Sequence, residues 1–191
     1  GGMGAICPGE NLSDNLINEM ENKIFKPTIN AMKREGRSFK GVIYFGLMLT
    51  DKGPKVIEYN ARFGDPETQA ILPLLKTDLL DIIDAVIDEK LDSLEILWKE
   101  KFSCCVVAAS GGYPQNYDTG FEIKGLDSVD CLVFHAGTKL SNGKVVTAGG
   151  RVLGITAVSK NPEDAINLAY DNIKKVSFEN MHYRTDIGKI K

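Results

Sequence analysis

The sequence predicts an α+β protein built from two units, and three observations support this. Two apolar runs at 41–50 and 55–60 flank a short turn containing Gly53 and Pro54, a pattern typical of a β-hairpin. Helical periodicity occurs on both sides of this hairpin. After about residue 98 the apolar runs become short and strand-like, with one further helix. We therefore expect residues 1–98 to form an α+β unit and residues 99–191 a small β-rich unit.

Two helical segments are predicted in the first unit. The first begins after Ser13, a typical N-cap residue, and ends at Gly36. Because proline lacks a backbone N–H group, we expect Pro27 to kink or divide this helix. The second segment breaks around Pro73 for the same reason and begins again near Thr77.

The second unit is predicted to be mostly strand, at 103–110, 121–126, 131–140 and 144–159. The Asn142-Gly143 pair is a strong hairpin signal, because both residue types tolerate positive φ. A helix is predicted after Asn161, which serves as N-cap, with Pro162 as its first residue.

Composition and charge exclude several classes of function. The chain has 191 residues, 43% hydrophobic and 26% charged, and a formal net charge of -3 with acids and bases mixed along it. It has no basic stripe that would predict nucleic-acid binding, and no apolar run approaches the roughly 20 residues of a membrane span. The four cysteines lack the spacing of metal ligands, so we expect reduced core thiols. These features predict a cytoplasmic protein without nucleic-acid or membrane partners.

The stretch VIEYNARFGDPETQ carries three polar side chains at alternate positions, Glu58, Asn60 and Arg62. Strand alternation predicts that they share one face with Val56, while Ile57 and Tyr59 pack on the core from the other. A carboxylate and a carboxamide two residues apart can converge on Mg²⁺, which leaves most of its coordination to water or phosphate. An arginine beside them suits phosphate. The alternative is an ordinary exposed face of an edge strand.

The segment that follows predicts the start of a helix. Asp65 is expected as N-cap, Pro66 as the first helical residue and Glu67 in the first turn. Free N–H groups at such a helix start could also meet an anion. From the residues alone, a metal-assisted phosphate site is therefore the hypothesis, with its substrate open.

This motif, E-x-N-x-R-F-G-D-P-E-x-Q, resembles the signature of glycinamide ribonucleotide synthetase, or phosphoribosylamine–glycine ligase, of the ATP-grasp superfamily. The similarity extends over essentially all 191 residues, through GGYP, VFHAGT, VVTAGGRVL and YRTDIG. The opening GGMGA resembles the family's T-G-G-M-G-A loop without its threonine, which favours a start inside that loop over an expression scar before Met3. Family members are roughly twice as long, so we expect the N-terminal part and the ATP-clamping subdomain to be missing here.

The resemblance implies the second half of an ATP-grasp core, an antiparallel sheet with helices, at 1–98. A small β-rich C-terminal domain with one or two helices is implied at 99–191. It also implies ligation of glycine to phosphoribosylamine with ATP, through a glycyl phosphate, in purine biosynthesis. Glu58 and Asn60 would then hold Mg²⁺ or Mn²⁺, and Arg62 would be the catalytic residue that stabilises the transferring phosphoryl group.

The resemblance further implies substrate- or phosphate-binding roles for a second set of residues: Gly1, Gly2, Met3, Gly4, Asp65, Pro66, Glu67 and Arg151. The first four would form a backbone-lined loop near the acyl phosphate. For Asp65 and Glu67 the alternative is helix capping alone, and for Arg151 it is a salt bridge.

Two other functions remain open at this point. One is a different ATP-grasp carboxylate–amine ligase, and the other is a non-catalytic module that keeps the scaffold. In either case we expect no turnover by these 191 residues alone, because the subdomain that closes over the nucleotide is missing.

Overall fold

The computed structural model describes residues 2–9 and 12–189, and in them the chain forms two compact units. The sheet unit contains residues 2–8, 65–76 and 98–189, and the hairpin unit contains residues 9, 12–64 and 77–97. Both units are discontinuous along the chain. The division near residue 98 expected from the sequence remains a prediction about the family's domains.

The hairpin unit is built around one antiparallel hairpin, β2 (Tyr44–Thr50) with β3 (Gly53–Asn60), preceded in the chain by strand β1 (Gly4–Cys7) of the sheet unit. The predicted hairpin is confirmed. Its turn lies at 51–52, however, and Gly53 and Pro54 pair within the strand. Gly53, with φ 83°, adopts the positive dihedral that the tight turn requires.

Helices complete the hairpin unit. The first helical run comprises α1 (Asp14–Met20), a π-helical stretch (Glu21–Phe25) and α2 (Lys26–Arg34). Ser13 caps it as predicted by accepting a hydrogen bond from the Leu16 N–H at 3.3 Å. The wider π-helical turn lies just before Pro27 and divides the run there, because proline has no backbone N–H group to continue the regular α-helical hydrogen bonding. A later helix, α4 (Leu79–Ile87), starts at Asp78, whose carboxylate accepts from the Leu80 N–H at 2.8 Å.

The sheet unit is an antiparallel four-stranded sheet in the order β1-β4-β8-β5, where β4 is Phe102–Ala109, β5 is Leu132–His135 and β8 is Arg151–Ser159. A separate hairpin joins β6 (Thr138–Ser141) to β7 (Lys144–Thr147) through the predicted Asn142-Gly143 turn, with φ 50° and 77°. Two helices belong to this unit, the short α3 (Glu67–Ile71), followed by a 3₁₀ turn (Leu72–Leu74), and α5 (Pro162–Ile173).

One strand prediction and one loop prediction in this unit are wrong. Residues 121–126 form only isolated bridges at Glu122 and Lys124, because Gly125 turns the chain with φ 81°. Gly4, expected in a loop, instead begins strand β1, which pairs with β4 in the register Gly4 to Val106. The edge of the main sheet is therefore supplied by the glycine-rich opening of the chain.

The core of the sheet unit lies between the sheet and α5. Asn161 caps α5 as predicted, accepting from the Asp164 N–H at 2.9 Å. The helix then buries a face spaced at helical intervals against β4 and β8. The buried core side chains include Cys104, Val106, Ala108, Val152, Ile155, Ala157, Ala165, Ala169 and Ile173. Within the described residues, no helix is long and apolar enough to cross a membrane.

All four cysteines are free thiols, and the two on β4 are fully buried. Burial raises the pKa of the Cys104 thiol to about 12 and that of Cys105 to about 11, from an ordinary value of 9.0. Such thiols stay protonated and unreactive in the folded state.

The buried thiols predict a loss of stability at high pH. Because the folded state keeps the Cys104 proton while the unfolded state loses it above pH 9.0, the free energy of unfolding should fall as pH rises towards 12. In Cys104→Ala the slope of that free energy between pH 9 and 10.5 should be shallower by up to about 1.4 kcal/mol per pH unit. Urea unfolding at several pH values measures it, and identical slopes would contradict the burial effect.

Candidate functional site

The predicted metal ligands lie together on β3 of the hairpin unit. Glu58 and Asn60 share one face of the strand, and the Asn60 Nδ2 donates a hydrogen bond to the Glu58 Oε1 at 3.1 Å. This bond occupies one amide hydrogen and one carboxylate oxygen. The two side chains thus meet on one face, as their spacing predicted.

A β-bulge corrects the rest of the predicted face. Gly46 of β2 pairs with Glu58, whereas the next residue, Leu47, pairs with Val56, so Ile57 is an extra residue in β3. Cross-strand partners share a face. Val56 therefore lies on the face opposite Glu58, and the prediction that the two share a face is wrong, since strict alternation fails across a bulge.

The prediction that Ile57 and Tyr59 pack on the core is also wrong for this chain. Their exposed fractions are 61% and 52%. Tyr59 still makes an edge contact with the Phe45 ring, with centroids 5.3 Å apart. The hairpin unit is too small to cover both sides of a two-stranded sheet, and apolar side chains of β3 therefore face solvent.

Arg62 lies beyond the end of β3, so strand alternation does not place it. Its Nη1 donates to the adjacent Phe63 carbonyl at 2.6 Å, and the residue is exposed. The guanidinium thus follows the two candidate ligands in the same segment of the chain. Its predicted role in stabilising phosphoryl transfer remains a proposal.

Gly46 is a residue of the candidate site that the sequence reasoning missed. A Cβ at this position would lie 2.9 Å from the Glu58 Cγ, so the glycine leaves the space that the Glu58 side chain occupies. A glycine inside a strand pattern does indicate a bulge or a close approach. That signal was present in YFGLMLT.

Gly46→Ala should displace Glu58 and weaken metal binding. The new methyl forces the flexible glutamate to shift, and we expect about a tenfold loss in Mn²⁺ affinity, as for other groups that orient a ligand. Mn²⁺ titration of the protein, followed by electron paramagnetic resonance, measures it. Met48→Ala, on the same face of β2 and 54% exposed, is the matched control. Equal affinities in both variants would show that Gly46 has no such role.

The donor set fits a divalent metal that carries phosphate. Among residues 2–9 and 12–189, no group of three or more His, Cys, Asp or Glu side chains could hold a metal ion. Mg²⁺ bound with nucleotide commonly takes one or two protein oxygen ligands and completes its shell with phosphate and water. Glu58 and Asn60 can offer one carboxylate and one amide oxygen ligand, which matches that smaller requirement.

A second group of predicted residues meets in the sheet unit around Arg151. Its Nη2 forms an ion pair with the Asp65 Oδ2 at 3.0 Å, and its Nη1 donates to the Asp65 carbonyl at 2.7 Å. The same Nη1 donates to the Gly2 carbonyl at 3.0 Å. The salt bridge considered for Arg151 is therefore present, and three of the predicted binding residues are in direct contact.

The prediction that Asp65 caps the following helix is wrong. Helix α3 starts at Glu67 after Pro66, which makes no side-chain capping bond, and the Asp65–Pro66 peptide is cis. The Asp65 carboxylate is used elsewhere, because Arg151 binds one oxygen and the Gln69 Nε2 donates to the other at 3.0 Å. Pro66 is buried, and Glu67 lies in the first turn as predicted.

The glycine-rich opening is only partly a loop. Gly1 lies outside the described residues. The Met3 carbonyl accepts from the Val107 N–H at 3.0 Å, and Gly4 is already in β1. A Cβ on Gly4 would lie 2.7 Å from the Cys105 carbonyl oxygen, so only glycine fits there. Phosphate binding by Gly1, Gly2, Met3 and Gly4 remains a proposal.

Two family models match this chain. The ATP-grasp (A) domain of phosphoribosylglycinamide synthetase matches residues 1–68, and its C domain matches residues 103–190. The chain belongs to the phosphoribosylglycinamide synthetase family. Both halves of the sequence thus come from one kind of protein, and the resemblance carried by VIEYNARFGDPETQ is confirmed.

Relatives of this family are markedly longer than the chain. A phosphoribosylamine–glycine ligase of Caldanaerobacter subterraneus subsp. tengcongensis is 55% identical over 98% of this chain and 45% of its own length. The human trifunctional purine biosynthetic protein adenosine-3 is 45% identical over 98% of this chain and 19% of its own. The chain therefore spans about half, or less, of the length of these relatives.

The fold agrees with that of a solved family member. The crystal structure of a phosphoribosylamine–glycine ligase from Thermotoga maritima matches with a TM-score of 0.81 at 36% identity, covering 97% of this chain and 46% of that one. The predicted α+β class with antiparallel sheets is confirmed.

Proposed function

We propose that this chain supplies the metal- and phosphate-handling part of a phosphoribosylamine–glycine ligase. The observation that carries the proposal is the convergent pair Glu58 and Asn60, joined at 3.1 Å, within the ATP-grasp match of residues 1–68. The names of the most similar relatives support glycine and phosphoribosylamine as substrates and purine biosynthesis as the pathway.

In the proposed reaction, a carboxylate oxygen of glycine attacks the γ-phosphorus of ATP and ADP leaves. The phosphoribosylamine nitrogen then attacks the glycyl carbon, the C–N bond forms, the bond to the phosphate oxygen breaks, and the amine loses a proton. Phosphorylation turns a poor electrophile into a reactive acyl phosphate. The protein mainly positions the reactants and offsets negative charge.

The hairpin unit would hold the phosphates. Glu58 and Asn60 offer the oxygen ligands for Mg²⁺ or Mn²⁺, which when bound offsets the charge of the ATP phosphates. Their mutual hydrogen bond keeps both side chains on one face of β3 before any ligand arrives. The Arg62 guanidinium, a permanent cation with a planar fork of donors, would stabilise the phosphoryl group in transfer.

The sheet unit would contribute the second set of residues. Of the two acids in the GDPE segment, Asp65 has both carboxylate oxygens bonded to Arg151 and Gln69. Glu67 is therefore the acid that we assign to the amine substrate. Gly2, Met3 and Pro66 would shape the main chain near the acyl phosphate, with the undescribed Gly1.

The remaining half of the ligase would be the region that the longer relatives have outside their match to this chain. Two observations support a further segment that packs on the hairpin. The relatives are longer than this chain, and apolar side chains of the hairpin such as Ile57 are exposed. We infer that the 191 residues alone do not turn over, and that the complete enzyme acts in the cytoplasm.

Glycine- and phosphoribosylamine-dependent ADP release by a full-length ligase containing this chain tests the proposal. Release that needs both substrates supports it. Release that needs a different acid or amine would identify another ATP-grasp ligase, and no nucleotide binding at all would favour a non-catalytic module. Turnover by the 191 residues alone would contradict the inference that they are incomplete.

A further inference from the structure

Arg151 lies at the start of a strand that enters the buried core of the sheet unit. It is the first residue of β8, and its carbonyl accepts from the Gly137 N–H at 2.8 Å. The next two residues, Val152 and Leu153, are 0% and 1% exposed. Because close-packed core strands move little, the base of the Arg151 side chain has a fixed position.

From this base, the guanidinium reaches two other segments of the chain. Two of its three bonds end on main-chain carbonyls, of Gly2 and of Asp65, and the third ends on the Asp65 carboxylate. Arginine suits this task because its planar fork directs several donors at once, whereas lysine offers one compact ammonium group.

Asp65 completes the arrangement. Arg151 binds its Oδ2, and the Gln69 Nε2 binds its Oδ1 at 3.0 Å, so both oxygens of the carboxylate have partners. A carboxylate engaged in this way is poorly placed to bind a substrate amine or to accept its proton. It is well placed to keep the turn before α3 in one conformation.

The two segments held by Arg151 also touch each other. A Cβ on Gly2 would lie 2.9 Å from the Pro66 Cδ, so the main chain of the opening segment packs directly on the proline ring. Pro66 itself is fully buried. The glycine opening, the turn at Asp65–Pro66 and the start of β8 thus form one packed cluster.

We propose that Arg151 and Asp65 act as a positioning pair, which fixes the main chain of Gly2–Gly4 and of Asp65–Glu67 without touching substrate. The inference deepens the proposed function and rests on it for its catalytic consequence. With the pair in place, Glu67 and the main chain of the opening segment keep the orientation needed for the amine and the acyl phosphate.

An ordinary surface ion pair makes different contacts. In the same unit, the Lys144 Nζ lies 2.7 Å from the Glu122 Oε2, and the two side chains are 60% and 38% exposed. Exposed ion pairs of this kind contribute little to the free energy of unfolding. The Arg151 side chain is only 21% exposed and donates hydrogen bonds to backbone carbonyls. Its loss should therefore free two chain segments to move, in addition to removing an ion pair.

Amide hydrogen exchange of the chain tests the pair without any assay of activity. In Arg151→Met and Arg151→Lys, two hydrogen-bonded amides should exchange at least about tenfold faster, because local opening becomes easier. They are the Val107 amide, which donates to the Met3 carbonyl, and the Leu72 amide, which donates to the Thr68 carbonyl at the end of α3. The Ile155 amide in β8 should keep its rate, which shows that the sheet remains folded. Lys144→Met is the matched control and should change none of these rates. Unchanged exchange at Val107 and Leu72 would overturn the proposal.

Steady-state kinetics of a full-length ligase provide the second arm, with Arg151→Met, Asp65→Ala and the double variant. A positioning pair predicts that each single variant lowers kcat at least about tenfold, that the double variant is no worse, and that KM for ATP stays constant. A raised KM for phosphoribosylamine with normal exchange would instead make Arg151 a substrate ligand and overturn the proposal. Faster exchange in a protein without glycine-dependent ADP release would support the pair and reject the ligase function.

Discussion

Glu58→Ala should reduce glycine-dependent ADP release by about 10²- to 10³-fold, because it removes the single carboxylate from the proposed metal site. The side chain is exposed, and within residues 2–9 and 12–189 its one hydrogen bond is with Asn60, so the stability of the fold should change by less than about 0.5 kcal/mol. The measurement is the rate of ADP release by a full-length ligase with saturating Mg²⁺, together with circular dichroism of the variant.

Two further variants sharpen this result. Glu58→Gln keeps the size of the side chain and removes its charge, so it should lose most of the activity as well. Glu35→Ala removes an exposed carboxylate elsewhere in the hairpin unit and should behave as the parent. If Glu58→Ala matched the parent, the metal assignment of Glu58 and Asn60 would be wrong.

Gly125→Ala should lower the free energy of unfolding by about 2–5 kcal/mol, the largest loss expected for any of these variants. Gly125 has φ 81°, which costs an alanine about 1–2 kcal/mol, and its new Cβ would lie 2.0 Å from the Lys175 carbonyl oxygen. Backbone cannot retreat as a flexible side chain does, so overpacking adds about 1–3 kcal/mol. The bridge between Lys124 and Ser177 would be disturbed.

Gly143→Ala is the control that separates the two contributions. Gly143 has φ 77°, but no atom lies within 4 Å of its added Cβ, so only the dihedral cost of about 1–2 kcal/mol applies. Urea unfolding followed by the fluorescence of Trp98, the single tryptophan, reports on the unit that contains both glycines. Equal losses in the two variants would contradict the clash at Gly125.

The helix starts and hairpins followed from the sequence because they depend on neighbours in the chain. Ser13 and Asn161 cap their helices through bonds to backbone groups three residues on. The turn at Asn142-Gly143 likewise needs only two residues that accept positive φ. By contrast, the sequence predicts a loop at Gly4, because strand β1 exists only through pairing with β4 nearly a hundred residues later.

The candidate metal site was predicted in part. The convergence of Glu58 and Asn60 follows from alternation over one strand interval, which no bulge interrupts. Val56 was misplaced because the bulge at Ile57 depends on how β2 pairs with β3, and pairing is a property of both strands together.

The sequence by itself determined the family, the candidate metal ligands and the local helix and turn signals, because each resides in a short run of residues with fixed spacing. Only the tertiary structure decided that Arg151 holds Asp65 and Gly2, which are 86 and 149 positions away in the chain. It also decided that Asp65 caps no helix. A side chain with several possible partners takes those that the packed sheet brings within reach, and that choice depends on contacts between distant segments.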